Sequence, residues 1–384
     1  SPAVRRSGSP LQLKAGQIIV AMPGIDPDTV NARSERLAEL HAIDYQRAWP
    51  LPSIDVDCAV FTVADPTRLQ SVLSALERDP DVVLAQPNLG FRTFSSLYND
   101  PYASYQPHLQ ELGAESVHRW STGENVTVAI VDTGIDTAHP DFAERVVAAE
   151  NFVQGGEKSF ASDRHGTAVA GVLAAEADNG IGIVGVAPGA RLLAAKACWY
   201  PSNDRTSAIC SSWSIARAID HAIDAGVRII NLSLGGSNDP LITRLIEEAD
   251  RRGIVVVAAA GPSNAPEPRF PASLPEVIAV IESDAEATDR SELWQDSGLV
   301  LGAPGGEIIT TVPQEGYLFL SGSSLSTAHV SGAIALLLQH RELAPRRLAR
   351  LLQEVRRSSD SGAARAVLDI CAAASRLEGR DICS

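Results

Sequence analysis

Val126-Thr-Val-Ala-Ile-Val-Asp-Thr-Gly-Ile-Asp136 runs an apolar stretch into an acid and a glycine turn. Stretches of this kind are buried on both faces, as in the strands of a parallel sheet. Four more follow at residues 191–197, 227–232, 254–259 and 277–281. Helical spacing fills intervals between them near residues 165–176, 212–225 and 241–252. Strands alternating with helices predict an α/β fold, a mostly parallel sheet with helices on both faces. Sites in such folds form at the carboxyl ends of the strands, which draws attention to Asp132.

Before this alternation the rhythm differs. Residues 17–22, 43–49, 56–63 and 82–86 read as strands, and residues 28–40 and 67–78 as helices. The second helix starts with Asp65 and Pro66 at its N-cap and first position. The order β-α-β-β-α-β predicts a small α+β domain of the ferredoxin-like kind. Residues 1–14, rich in Ser, Pro and Arg, read as a disordered tail. Periodicity fades again between Asn88 and Gly123, where Ser95-Ser96, Asn99-Asp100-Pro101 and Gln106-Pro107 mark turns. The expected organisation is a tail (1–14), a small domain (15–90), a linker (91–98) and a large domain (99–384).

Composition narrows the partners. The 384 residues carry a formal net charge of −15, which argues against nucleic acid and anionic membrane surfaces. No apolar run reaches the roughly 18 residues of a membrane span. The N-terminal residues show no signal-like apolar stretch, so a signal was removed upstream or the protein stays in the cytoplasm. The cysteines favour the first. Cys198 and Cys210, like Cys371 and Cys383, are spaced to close a short loop, so two disulfides and a secreted or periplasmic protein are expected. Four unrelated buried thiols are the alternative. Cys58 lies in an apolar stretch and reads as a buried free thiol. No pair has the CxxC spacing of a zinc site.

Three segments carry chemistry. Asp132 ends an apolar strand, where a carboxylate is a fixed, partly desolvated partner. Asp163-Arg-His165-Gly-Thr-Ala-Val-Ala-Gly171 places His165 at the start of a helix of small residues. The positive end of that helix disfavours the imidazolium and keeps the ring neutral and basic. Ser321-Gly-Ser-Ser324-Leu-Ser-Thr-Ala-His329-Val-Ser-Gly332 places Ser324 at the start of a buried helix. Free backbone N–H groups there suit a developing oxyanion.

Asp, His and Ser in this chain order, with these flanks, resemble the subtilisin-like serine proteases, and the likeness covers nearly everything from about Asn99 onward. The α/β-hydrolase order differs, since its nucleophile comes first and Ser324 comes last. The resemblance implies a hydrolase with Asp132, His165 and Ser324 as catalytic triad and no cofactor required for catalysis. Asn231-Leu-Ser-Leu-Gly-Gly236 is similar to the family's substrate-binding strand, which implicates Ser233, Leu234 and Gly235. Ala258-Ala-Ala-Gly261 is similar to a wall of the specificity pocket, with Ala259 and Gly261. The implied partners are peptide and protein substrates and the chain's own propeptide. Family propeptides share the small β-α-β-β-α-β fold, and they assist folding and inhibit the enzyme until cut away. Val82-Val-Leu-Ala-Gln-Pro-Asn88 looks like the end of one, with its continuation in the cleft and the cut falling between Gly90 and Asn99.

The chain departs from the family pattern after Gly261. An Asn usually follows and donates to the oxyanion, whereas Pro262 has no side-chain donor and no N–H. In subtilisin, losing that donor costs about 10² to 10³ in kcat. Ser323, which keeps a hydroxyl where Thr is usual, and Asn264 are the candidate replacements. A slow protease or a pseudo-protease that binds peptides is therefore the alternative function. Asp141, Asp178 and Asn179 partly resemble a calcium site, although the loop spacing does not match the subtilisin pattern. Gly180-Ile-Gly182-Ile-Val-Gly185 matches the dinucleotide-binding GxGxxG, but it follows a helix and runs into Pro188 and a strand, so nucleotide binding is rejected.

Overall fold

The computed structural model describes residues 11–12, 16–26, 28–90, 97–142, 144–153, 160, 162–201, 207–261, 268–283, 299–355, 357–358 and 366–383. Contacts divide the chain into two units, Ser1–Phe94 and Ser95–Ser384.

In the first unit, β1 (Gln17–Pro23), α1 (Val30–His41), β2 (Asp44–Leu51), β3 (Val56–Thr62), α2 (Leu69–Leu76) and β4 (Leu84–Pro87) follow the expected order. The sheet order is β2-β3-β1-β4, antiparallel throughout. Ile18, Val20 and Met22 alternate inward along β1 and meet Leu37, Phe61, Val72 and Leu76 in one core. The second helix starts later than expected. The Asp65 carboxylate accepts the Thr67 N–H (3.0 Å) and hydroxyl (2.7 Å), and Pro66–Arg68 tightens into a 3-10 turn. Most of the expected tail lies outside the described residues, but Leu11–Gln12 pairs with Leu89–Gly90 as a short strand.

The second unit is built on β5 (Thr127–Asp132), β6 (Val146–Asn151), α3 (Arg164–Ala174), β7 (Arg191–Lys196), α4 (Ser212–Asp224), β8 (Ile229–Leu232) and α5 (Pro240–Arg251). It continues through β9 (Val255–Ala259), β10 (Val277–Glu282), β11 (Val300–Ala303), the hairpin β12 (Ile308–Val312) and β13 (Gly316–Leu320), α6 (Ser323–Leu338), α7 (Pro345–Glu354) and α8 (Ile370–Glu378). Seven strands lie parallel in the order β11-β10-β9-β8-β5-β7-β6. The short pair Arg357–Ser358 and Ala366–Val367 extends the β11 edge.

Both faces are covered, as expected. Val128 and Ile130 of β5 enter the core shared with α3 and α6, while Ala129 and Val131 enter the core shared with α4 and α5. Helix α6 is buried almost from end to end, which its apolar circumference permits. The region of faded periodicity holds two short helices, Pro107–Glu111 and Ala114–Val117. Each is too brief to print a helical period, yet Leu109, Leu112 and Val117 are buried in the large core. Gly180 to Gly185 forms an irregular loop that opens no helix, in keeping with the rejection of nucleotide binding.

Candidate active site

The parallel sheet brings the three segments to one edge. Asp132 is the last residue of β5, and its Oδ1 accepts the Thr133 N–H at 2.6 Å. His165 is the second residue of α3, and Nδ1 lies 2.8 Å and 2.9 Å from the two Asp132 oxygens. A carboxylate only accepts, so Nδ1 carries the proton and Nε2 is left as acceptor. Ser324, the second residue of α6, places its Oγ 3.1 Å from that Nε2.

The charge of Asp132 raises the His165 pKa above its ordinary 6.5, overriding the opposite pull of burial. This corrects the expectation from helix polarity alone. A full carboxylate charge in contact outweighs the partial charge of a helix end.

The first turn of α3 is held by groups that the sequence motifs do not mark. The His165 N–H donates to Tyr200 Oη (3.0 Å) and the Gly166 N–H to Thr133 Oγ1 (3.1 Å). Asp163 occupies the N-cap without capping. Its oxygens instead each sit 2.6 Å from Lys196 Nζ, a pair buried on both sides. Lys196 is the register partner of Asp132 on the neighbouring strand, so the pair ties the Asp132 layer to the His165 helix. A charged residue ending the apolar run of β7 was the visible signal; Tyr200 offered none. The helix also sits very close to the turn after Asp132: a Cβ on Gly166 would collide with the Gly134 carbonyl.

Ser324 is joined to the expected substrate strand. Ser233 Oγ donates to the Ser324 carbonyl (3.2 Å) and accepts from Asn231 Nδ2 (2.9 Å), while Ser331 donates to Asn231 Oδ1 (2.8 Å). Ser233, Leu234 and Gly235 line a groove of about 680 Å³ with Asp132 and His165. Ala259 and Gly261 stand at the end of β9, outside that groove's lining. Ser323 opens α6, whose first four N–H groups have no carbonyl within the helix. Pro262, Ser263 and Asn264 lie outside the described residues.

The cysteines pair locally, Cys198 with Cys210 and Cys371 with Cys383, and Cys58 is a buried free thiol. The first disulfide lines the groove.

Among the described residues no cluster of three or more His, Cys, Asp or Glu forms a metal centre. Asp141 and Asn179 do meet, with Nδ2 donating to Oδ1 at 3.0 Å. The Asp178 carboxylate turns instead to the Asn99 N–H (3.0 Å). Asp100, not anticipated, accepts the Asp178 N–H at 2.8 Å on Oδ2, and its buried Oδ1 has no hydrogen-bond partner.

Residues 123–366 match the subtilase family. The chain is 34% identical over 296 residues to the thermophilic serine proteinase of Bacillus sp. (strain AK1), covering 76% of this chain and 71% of that protein. It is 36% identical over 241 residues to thermitase of Thermoactinomyces vulgaris, covering 62% and 84%. It is 38% identical over 232 residues to the major intracellular serine protease of Bacillus subtilis (strain 168), covering 57% and 70%. The chain belongs to the subtilase family. Like its relatives it is a serine endopeptidase, a class that needs no cofactor for catalysis.

Proposed function

We propose that the chain is the precursor of a secreted endopeptidase whose catalytic triad is Asp132, His165 and Ser324. The observation that carries this is one imidazole bridging the Asp132 carboxylate and the Ser324 hydroxyl. Ser324 Oγ attacks the peptide carbonyl, and His165 Nε2 takes its proton and later delivers it to the leaving amine. Asp132 fixes the tautomer and stabilises the imidazolium. The Ser324 N–H and the Ser323 hydroxyl are the donors we assign to the oxyanion. Residues 233–235 hold the substrate backbone as an added strand. The ferredoxin-like order of the first unit supports a propeptide that inhibits the enzyme until residues 91–98 are cut. The two disulfides support secretion.

Incubation of the full chain with a fluorophosphonate, beside Ser324→Ala, tests this. Labelling at Ser324 and loss of about ninety N-terminal residues in the wild type alone is the expected result. A chain that stays unlabelled even after another protease has removed the N-terminal unit would instead favour the peptide-binding scaffold that Pro262 suggests.

The orphaned Asp100 oxygen beside the buried Asp141 fits a hard cation such as calcium. Asp100 and Asp141 would hold it and brace the loop before β7. At calcium about a hundred times its Kd the stability gain is about 2.7 kcal/mol. A chelator should lower Tm in the wild type and leave Tm unchanged in Asp100→Asn/Asp141→Asn.

A further inference from the structure

Strands β8 and β9 are adjacent and parallel, and both release their chains on the edge where Ser324 stands. From β8 comes Ser233, in contact with Ser324, followed by Gly235; from β9 come Ala260 and Gly261. A crevice between the carboxyl ends of neighbouring strands is where open parallel sheets bind ligands. The side chain of Arg269 lies in this one. A Cβ on Gly235 would stand 3.4 Å from Arg269 Cβ, and one on Gly261 would stand 3.3 Å from its Cγ and 3.2 Å from its Cδ. The stem is therefore flanked by two residues without side chains, one from each strand end.

The backbone of Arg269 is pinned as well. Its N–H donates to the Ala260 carbonyl (3.0 Å), and the next carbonyl, Phe270, accepts the Gly236 N–H (2.8 Å). The residue itself is exposed, and among the described residues no carboxylate pairs with it. The groove's own acids are already engaged. Asp132 holds His165, and Asp239 caps α5 by accepting the Leu241 and Ile242 N–H groups. A guanidinium whose stem is held between these strand ends, with no carboxylate partner among the described residues, suits a carboxylate, which it can grip through two parallel hydrogen bonds.

We propose that Arg269 selects substrates with an acidic side chain, Glu or Asp, on the acyl side of the scissile bond. This deepens the proposed function and rests on it. It has a consequence for maturation, because residues 91–98 contain neither Asp nor Glu. A cut there within the same chain runs against the preference and depends on the high effective concentration of a tethered segment.

The test uses the full chain and matched chromogenic peptides that carry Glu, Gln or Lys before the leaving group. The wild type should cleave the Glu peptide about 10- to 100-fold better than the Gln peptide, the range of a charge-assisted hydrogen bond. Arg269→Met should erase that ratio, and Arg269→Glu should reverse it towards the Lys peptide. Equal rates on Glu and Gln peptides in the wild type, or a ratio untouched by Arg269→Met, overturns the proposal. Fluorophosphonate labelling of the wild type separates the two failures. Labelling at Ser324 without an acid preference sinks this inference alone; no labelling removes the active-site assignment with it.

Discussion

Asp132→Asn should lower kcat by about 10⁴-fold at neutral pH, as the equivalent change does in a serine protease triad of a different fold. The reason is visible in the contacts. Both carboxylate oxygens lie within 2.9 Å of His165 Nδ1, so only the tautomer with a free Nε2 is favoured. An amide can donate to Nδ1 and stabilise the other tautomer, whose Nε2 carries a proton and cannot accept from Ser324. The same change removes the charge that raises the His165 pKa. In the wild type, kcat/KM should fall as pH drops through a value above 6.5, and in the variant that acid limb should move down. For stability the sign is opposite. The raised pKa contributes stability that is full below about 6.5 and is lost as pH rises through the folded value. A pH profile of the variant that matches the wild type would show that Asp132 does not control the imidazole.

Gly166→Ala should be nearly as damaging, with kcat down by about 10²-fold or more. The added methyl meets a backbone carbonyl, at Gly134, so no side-chain rotation relieves it. Helix α3 must shift away from the turn after Asp132, and His165 rides on that helix. An ångström of misplacement between a base and its nucleophile is enough for a loss of this size. Because the groove of residues 233–239 belongs to other elements, KM should change far less than kcat. A variant with unchanged kcat and a lowered Tm would mean that the close approach serves only packing.

Much of this arrangement was legible in the sequence because its signals are local. An apolar run ending in Asp132, a helix of small residues opened by His165, and an apolar helix opened by Ser324 each declare themselves within a dozen positions. The strands that went unread have weak local patterns. β6 mixes one acid, Glu150, with half-buried alanines, and β11 spends one of its few positions on a glycine. The groups packed around His165 were hard to read for a different reason. Tyr200 and Thr133 act across strands and loops, and no periodicity connects them to His165; Lys196 showed only as a charge at the end of an apolar run. Asp163 even stands at a helix start, where its usual office is capping, and only the fold reveals that its carboxylate faces Lys196 instead.

That buried pair also decides how the enzyme meets its surroundings. Breaking such a pair by removing one member typically costs about 3–5 kcal/mol. Mobile ions screen charges over about 8 Å in physiological salt, but they do so from outside, where water can follow. The Lys196 ammonium and the Asp163 carboxylate lie beyond their reach, beside Asp132 and the helix that carries His165. The proton affinity of His165 is set by the Asp132 carboxylate, itself buried beside that pair, and brine and fresh water should give nearly the same acid limb.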